Sequence, residues 1–119
     1  DFCLSRGLGD VYKRQLCVYR IAQESLRNIC RHAPGAAVSV KLAAGPCEIK
    51  LSVADRGPGL PPRPARSRGL GLIGMEERAR LVKGKLRVIS KPGKGTVVEV
   101  RVPLPPSARS GERRAHSRD

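Results

Sequence analysis

Two glycine clusters at a fixed distance constrain this chain more than any other feature of its sequence. The first, at 55–60, reads Asp-Arg-Gly-Pro-Gly-Leu and follows a strand-like alternation of apolar and polar residues. The second, at 69–75, reads Gly-Leu-Gly-Leu-Ile-Gly-Met and opens a segment with helical spacing. A carboxylate at a strand end can accept a hydrogen bond from the exocyclic amine of a base, and a glycine-rich helix start can offer backbone N–H groups to phosphate oxygens. Together the clusters predict an ATP-binding site.

Apolar periodicity predicts two helices and two hairpins. Residues 16–33 carry apolar side chains at steps of three and four, and Pro34 with Gly35 ends that pattern. Residues 70–82 return to the same helical spacing. Strands are predicted at 37–43, 48–54, 85–90 and 96–102. The order of helix, two strands, helix and two strands predicts an α/β sheet that is covered by helices on one face.

The two ends of the chain do not share this pattern. Residues 1–15 show no helical or alternating period, and we expect a leader that is disordered or foreign to the domain. Residues 105–119 are polar and basic, and we expect a disordered tail. This leaves residues 16–104 as one domain, in which the proline- and arginine-rich segment 61–68 is expected to form a mobile surface loop.

The charge of the chain indicates anionic partners. The formal net charge is +14 at pH 7, and the pI is near 10.9. Such a balance favours nucleic acid, nucleotide phosphates or acidic proteins. The basic residues are spread along the chain, however, and only Phe2, Tyr12 and Tyr19 could stack on bases. A basic nucleic-acid-binding module therefore stays open as an alternative, but a direct and specific nucleic-acid contact is not expected.

The cysteines and the apolar segments exclude several other classes. Cys3, Cys17, Cys30 and Cys47 form no Cys-x-x-Cys pair, which argues against a zinc ribbon or a redox motif. Reduced thiols in the cytoplasm are the simplest interpretation. No apolar stretch is long enough to span a bilayer, so we expect membrane attachment only through segments upstream of this chain.

A charged helical segment precedes both glycine clusters. Glu24 and Asn28 are four residues apart and lie on one face of the predicted helix. A neutral amide oxygen at Asn28 suits a Mg²⁺ ion that keeps most of its water and bridges to phosphates. Glu24 is placed to act as a base near the γ-phosphate, and Arg31 on the same face can meet phosphate charge. Taken alone, this spacing is also common on ordinary solvated helices.

Each glycine cluster has a simpler interpretation when it is taken alone. Asp-x-Gly-Pro-Gly is a good turn sequence, so a turn and a site are about equally supported there. The Gly-x-Gly-x-x-Gly match at 69–74 follows an irregular loop rather than a strand, which argues against a dinucleotide fingerprint. No Gly-Lys-Ser/Thr follows it, which argues against a P-loop. The loop can still place N–H groups for phosphates.

In this order and combination, residues 16–104 resemble the ATP-binding catalytic domain of sensor histidine kinases, within the GHKL superfamily of gyrase, heat-shock chaperone, histidine kinase and MutL. The resemblance covers the family's N box, two glycine boxes and closing hairpin, which correspond to 20–33, 55–60, 69–79 and 93–104. The Arg-His-Ala at 31–33 and the Gly-Met-Glu-Glu-Arg-Ala at 74–79 resemble the subgroup that partners response regulators with helix-turn-helix outputs. The implied fold is a two-layer sandwich of a mixed sheet with helices on one face.

The resemblance also implies a role for each residue of the site. Asn28 would bind Mg²⁺, and Glu24 would be the base that assists phosphoryl transfer from ATP. Asp55 would bind the adenine amine with support from Thr96, and residues 61–68 would form the lid over ATP. The remaining nucleotide contacts would come from Arg31, His32, Gly57, Gly59, Gly69, Leu70, Gly71 and Leu72.

Finally, the resemblance implies partners that this chain does not contain. The family's phosphoacceptor histidine lies on a helical dimerisation domain upstream, and neither His32 in the N box nor His116 in the tail is a credible acceptor. We therefore expect the C-terminal part of a homodimeric protein-histidine kinase that acts with a cognate response regulator. A GHKL regulator that phosphorylates serine on an anti-sigma pathway is the alternative of another class.

Overall fold

The computed structural model describes residues 2–59 and 71–105 of the chain. In these ranges two helices and four strands follow one another. They are α1 (Phe2–His32), β1 (Val38–Ala44), β2 (Glu48–Asp55), α2 (Leu72–Leu81), β3 (Lys85–Lys91) and β4 (Gly95–Pro103). The predicted α/β fold with helices on one face of a sheet is confirmed. The predicted lid at 61–68 and the predicted tail from 106 onward lie outside the described residues.

The strands form one sheet in the order β1-β2-β4-β3. All three pairings are antiparallel, so the expectation of a mixed sheet is wrong for the described strands. The reason lies in the connection through α2, which brings β3 back in the same direction as β2. The β3–β4 hairpin then folds inward, and β4 lies between the two strands as an antiparallel neighbour of both.

The core lies between the helices and one face of the sheet. Strand alternation places Leu51 and Val53 of β2 on this covered face, together with every second residue of β4. Ile21 of α1 and Met75 of α2 are both 0% exposed and close the layer from above. The full buried cluster comprises Cys17, Ile21, Leu51, Val53, Met75, Ala79, Val82, Val98, Val100 and Val102.

The first helix begins at Phe2, earlier than the Leu16 that periodicity predicts. Among the described side chains of the added segment, Val11 is 40% exposed and Tyr12 66%, and the adjoining Leu16 is 54% exposed. A helical turn whose side chains face solvent needs no apolar stripe, so the pattern that reveals α1 downstream is missing here. The expectation of a leader without helical structure is wrong over the described part of that segment.

The opposite, open face of the sheet is polar, and no described element packs over it. Lys50 on β2 lies 3.5 Å from Glu99 on β4, and Arg101 contacts Glu99 at 3.2 Å and Glu48 at 3.7 Å. Partial burial alone would raise the pKa of Glu99. The hydrogen bond from Arg101 and the charges of Lys50 and Arg101 outweigh that effect and lower the pKa below its ordinary value.

The described residues contain neither a membrane-spanning helix nor a cluster of metal-binding side chains. Cys17 is buried, Cys30 and Cys47 are exposed, and none of the three is in a disulfide. Neither helix is long and apolar enough for a membrane span within the part of the chain that the structure describes. The same part contains no cluster of three or more metal-binding His, Cys, Asp or Glu side chains.

Candidate nucleotide-binding site

A narrow cleft opens where the covered face of the sheet meets α1 and the start of α2. It lies at the end of the sheet where β2 ends and β4 begins. The residues that line it are Ser25, Asn28, Ile29, His32, Ala33, Val53, Asp55, Gly59, Leu72, Thr96 and Val98. Several polar groups therefore interrupt the apolar layer at this one end.

Asp55 is the last residue of β2 and stands at the head of the cleft. It is half-buried, and its Oδ1 accepts a hydrogen bond from the backbone N–H of Gly57 at 2.8 Å. Within the described residues, its second carboxylate oxygen has no hydrogen-bond partner. The sequence supported a turn and a binding site equally at Asp55, and the structure allows both. One carboxylate oxygen holds the turn through Gly57, and the other is available to a ligand.

The loop after Asp55 requires glycine for reasons of space. A Cβ on Gly57 would collide with the Cβ of Ala33, the residue that follows α1. Gly59 has a φ of +90°, and a Cβ there would lie 2.8 Å from the carbonyl oxygen of Lys91. The backbone of Gly93 also donates a hydrogen bond to the carbonyl oxygen of Pro58 at 3.0 Å. The loop is therefore held between α1 and the turn of the β3–β4 hairpin.

Thr96 continues the site on the neighbouring strand. It lies directly opposite Asp55 in the β2–β4 register, and it is 6% exposed. On its other side it is paired with Ser90 of β3, and the two hydroxyl oxygens are 3.1 Å apart. Asp55, Thr96 and Ser90 thus form one row across three strands. The sequence motifs do not identify Ser90, although the predicted hairpin already places it opposite Thr96.

Two predicted residues face this row from α1. Asn28 is 7% exposed and lines the cleft, one helical turn from His32, which also lines it. Ser25 lies on the same side, where its hydroxyl donates to the carbonyl oxygen of Ile21 at 2.8 Å and approaches the sulfur of Met75 at 3.6 Å. Arg31 is exposed and does not line the cleft. The buried face of α1 therefore contributes Asn28 to the cleft wall, whereas Arg31 lies on the exposed face of the helix.

Glu24 lies beside the start of α2 rather than in the cleft wall. It is half-buried and forms an ion pair with Arg27 at 3.4 Å. A Cβ on Gly71 would lie 2.8 Å from the carboxyl carbon of Glu24, so the two residues are in close contact. Gly71 has a φ of +64° and caps α2 without a side-chain hydrogen bond. The predicted residues Gly69 and Leu70 lie outside the described residues.

The sequence matches one protein family over most of its length. Residues 13–106 match the family described as histidine kinase-, DNA gyrase B- and HSP90-like ATPase. The chain belongs to this family. The resemblance inferred from the N box and the glycine boxes is thereby confirmed.

Curated relatives agree with this assignment. The chain is 35% identical over 117 residues to sensor histidine kinase LiaS of Bacillus subtilis. This aligned region covers 98% of this chain and 31% of that protein. It is also 40% identical over 88 residues to oxygen sensor histidine kinase NreB of Staphylococcus carnosus. That aligned region covers 73% of this chain and 25% of that protein. The chain therefore spans less than a third of the relatives that it matches.

Solved structures share the fold at lower identity. The histidine kinase domain of the Erythrobacter litoralis EL346 blue-light activated histidine kinase superposes with a TM-score of 0.64 at 23% identity, covering 74% of this chain and 46% of that chain. The ATP-binding domain of PrrB from Mycobacterium tuberculosis gives a TM-score of 0.61 at 22% identity, covering 76% of this chain and 68% of that chain. At this identity, the similarity shows the fold alone.

Proposed function

We propose that this chain is the ATP-binding catalytic domain of a two-component sensor histidine kinase. It would bind Mg-ATP and pass the γ-phosphoryl group to a histidine on a dimerisation domain of the same protein. The observation that carries the proposal is the polar row at the head of the cleft, where Asp55 and Thr96 stand side by side and Asn28 faces them from α1. The names of the curated relatives support the same reaction.

Asp55 and Thr96 would bind the adenine base. Gly57 donates only to Oδ1 of Asp55. The other carboxylate oxygen can therefore accept a hydrogen bond from the exocyclic amine. Gly57 and Gly59 keep side chains away from the space beside it. A hydrogen bond to a charged group contributes roughly 1.5–3 kcal/mol, which is enough to select a base. The apolar wall from Val53 and Val98 would cover the faces of the ring.

The α1 side of the cleft and the start of α2 would hold the phosphates and Mg²⁺. Asn28 supplies a neutral oxygen in the wall of the same cleft, and Mg²⁺ prefers few protein ligands together with substrate phosphates and water. His32, which lines the cleft, would add a donor, and the neighbouring exposed Arg31 would add positive charge. The N-terminus of α2, with Gly71 and Leu72, would offer backbone N–H groups to the phosphates, and we propose Gly69 and Leu70 as further phosphate contacts.

Phosphoryl transfer requires little covalent chemistry from the protein, so positioning and charge would supply most of the rate. The bound Mg²⁺ would neutralise charge on the phosphates. Glu24 is our candidate for the base that takes the proton from the attacking nitrogen. Its contact with Gly71 keeps the carboxylate beside the phosphate loop, one turn of α1 from Asn28.

The metal assignment is tested with Asn28→Ala. ATP affinity should fall much more in Mg²⁺ than in EDTA, because the side chain is proposed to bind the ion rather than the base. An equal loss in both buffers would assign Asn28 a structural role only. Circular dichroism of the variant controls for the fold.

The phosphoacceptor would be supplied from outside the described domain. His32 lines the cleft on the side that we assign to phosphates, so it cannot move into line with the γ-phosphate as an outside nucleophile. The partners would be the histidine-bearing dimerisation domain of a homodimeric kinase and a cognate response regulator. We place the domain in the cytoplasm, where ATP is available.

Transfer of radioactive phosphate tests the proposed activity. The isolated chain with γ-labelled ATP should label poorly, and a separately produced histidine-bearing dimerisation domain from a related kinase should become labelled when it is added. The label should be acid-labile, as expected for phosphohistidine. Acid-stable label on serine would indicate the serine-kinase alternative, and strong labelling of the isolated chain would refute the missing acceptor.

A further inference from the structure

Three basic side chains occupy one cross-strand row on the open face of the sheet. Lys85 on β3 and Lys50 on β2 are both register partners of Arg101, which lies between them on β4. Neighbouring strands are about 4.8 Å apart, and like charges directly opposite one another destabilise a sheet. Charge on a solvated face is ordinary, but a row of one sign lowers the stability of the free chain. We call these three residues the cationic row.

The carboxylates of the open face neutralise the cationic row only in part. Glu99 lies 3.2 Å from Arg101 and 3.5 Å from Lys50. Glu48 reaches only Arg101, at 3.7 Å. Within the described residues, Lys85 has no ion pair. Over the four strands the basic side chains on this face outnumber the carboxylates, with Lys41, Lys50, Lys85, Arg87, Lys91 and Arg101 against Glu48 and Glu99. An anionic partner would therefore meet an excess of positive charge.

An apolar row lies on the same face, closer to the end where β4 begins. It consists of Ile89 on β3, Val97 on β4 and Ala54 on β2, which are consecutive register partners. Ile89 is 41% exposed, and no described element packs over the other two. Protein–protein interfaces combine an apolar centre with a polar and charged rim. The open face has both parts.

These features favour a protein partner over other anions. A phosphate backbone or an anionic bilayer presents one sign of charge, and it would meet the carboxylate of Glu99 between the cationic row and the apolar row. Single-stranded nucleic acid is held by stacking of its bases on aromatic side chains, and strands β1 to β4 contain no aromatic residue. A protein surface can offer carboxylates to the cations and an apolar side chain to Ile89.

We propose that the open face is a docking surface for an acidic amphipathic helix of a partner protein. Its carboxylates would lie over the cationic row, and its apolar side chains would lie over the apolar row. A helix is the element that ordinarily covers the face of a sheet, as α1 and α2 do on the other side. The docking surface lies across the sheet from the proposed ATP site, so the inference goes beyond the proposed function and does not depend on it.

Two charge reversals on β3 separate docking from stability. Lys85→Glu places an acid opposite Arg101, so the midpoint of thermal unfolding should rise by about 1–5 °C. Arg87→Glu makes the same change in net charge but places an acid opposite Glu99, so the midpoint should fall. Both variants should bind an acidic partner more weakly, because each removes a cation from the docking surface. A general effect on the fold would not give opposite changes in stability with the same change in binding.

The probe is a designed helical peptide with leucine along one face and glutamate beside it, titrated into the whole chain by calorimetry. Each reversal on β3 should lower its affinity about three- to tenfold. Arg20→Glu is the matched control for net charge, since Arg20 is exposed on α1 across the sheet, and it should change the affinity less than about twofold. Ile89→Ser should also weaken binding of this peptide, but not of a peptide with the same composition in scrambled order.

Single-stranded DNA and phosphatidylcholine vesicles that contain phosphatidylserine are the competing probes. Tighter binding of either one than of the peptide, with a loss in Arg87→Glu, would overturn the proposal in favour of a phosphate surface. Equal losses in Arg20→Glu and Arg87→Glu, or a peptide that does not bind the wild-type chain, would also overturn it. If Arg87→Glu does not fold, Arg87→Gln replaces it and should show a smaller loss of the same sign.

Mg-ATP affinity, measured on the same proteins, keeps the two proposals apart. It should be the same in wild type, Lys85→Glu and Arg87→Glu, because both positions lie on the open face. A wild-type chain that bound the peptide but not Mg-ATP would overturn the proposed function and support the docking surface.

Discussion

The two faces of the sheet are built from alternate residues of the same strands, yet they differ in chemistry. On β4 the covered face carries Val98, Val100 and Val102, whereas the open face between them carries Glu99 and Arg101. Along β4 the covered face is buried beneath the two helices, while the open face has ion pairs in contact with solvent. Because the side-chain period of a strand is two, one sequence can build a core and a solvated surface at once.

The candidate site occurs where the covered face departs from this rule. Asp55, Thr96 and Ser90 place three polar side chains in a row on the face that is otherwise apolar. A polar group that is placed on a buried face costs free energy unless it is paired. Polar residues on the open face need no such explanation. The row is therefore the place where the covered face departs from apolar packing, as the proposed adenine site requires.

The largest expected effect comes from a charge on the covered face. Val100 is 1% exposed, and Val100→Asp would bury an uncompensated carboxylate at a cost of about 3–5 kcal/mol. The control is Ile89→Asp on the open face, where Ile89 is 41% exposed, and its effect should stay within about 1 kcal/mol. Urea unfolding measures both. Similar losses in the two variants would break the distinction between the faces.

A smaller loss of stability is expected when alanine replaces the glycine at the start of β4, beside Asp55. Gly95 and Gly93 both have positive φ, of +91° and +76°, so alanine at either position should cost about 1–2 kcal/mol of backbone strain. Only at Gly95 would the new Cβ collide with the carbonyl oxygen of Asp55, whereas nothing lies within 4 Å at Gly93. Gly95→Ala should therefore lose a further ~1–3 kcal/mol.

The same pair should also differ in nucleotide binding. Gly95→Ala should weaken ATP binding because it displaces Asp55, and Gly93→Ala should leave binding unchanged. Calorimetry with Mg-ATP and thermal unfolding of both variants measure the difference. Equal behaviour of the two alanine variants would mean that the β2–β4 contact beside Asp55 is not critical.

The smallest effect is expected on the open face. The pKa of Glu99 is lowered mainly by Arg101 and Lys50 against the opposing effect of burial. Its ion pairs therefore stabilise the fold above the unfolded pKa of glutamate, about 4.3, and this contribution is lost as the pH falls through the lower folded pKa. Glu99→Gln should cost less than about 1 kcal/mol at pH 7, and this cost should disappear as the pH falls through the folded pKa of Glu99.

Glu48→Gln is the matched control for that substitution, since Glu48 is more exposed and has a single ion pair, at 3.7 Å. It should cost less than Glu99→Gln at pH 7. Unfolding curves collected across this pH range give both values. A Glu99→Gln variant that also lost ATP affinity would show that the open face contributes to the site.

Much of this arrangement could be predicted from local sequence. The alternation around Leu51 and Val53 gives the covered face of β2, and the glycine loop after Asp55 marks the head of the cleft. The position of β4 between β2 and β3 could not be predicted, because strand order depends on pairings between distant segments. Val40 and Leu42 of β1 follow the same alternation but are 51% and 66% exposed, since α1 packs over β2 and β4 rather than over this edge strand.

The place of Ser90 in the polar row depends on both local and distant information. Its neighbour Thr96 is fixed by the hairpin register, but the pairing of Thr96 with Asp55 requires β4 to lie beside β2. A serine near a Lys-Pro-Gly turn is otherwise unremarkable in sequence. The site residues that local motifs could predict are therefore those on glycine loops and on the helix face, and the ones they miss are set by sheet order.

The central claim is that the polar row on the covered face binds adenine, and calorimetric titration of Asp55→Ala with Mg-ATP tests it most directly. Removing the acceptor for the amine should weaken ATP binding by about 10- to 100-fold relative to wild type, with the fold retained. Glu48→Ala, at the other end of the same strand, should leave ATP affinity unchanged. Equal ATP affinity in wild type and Asp55→Ala would contradict the account.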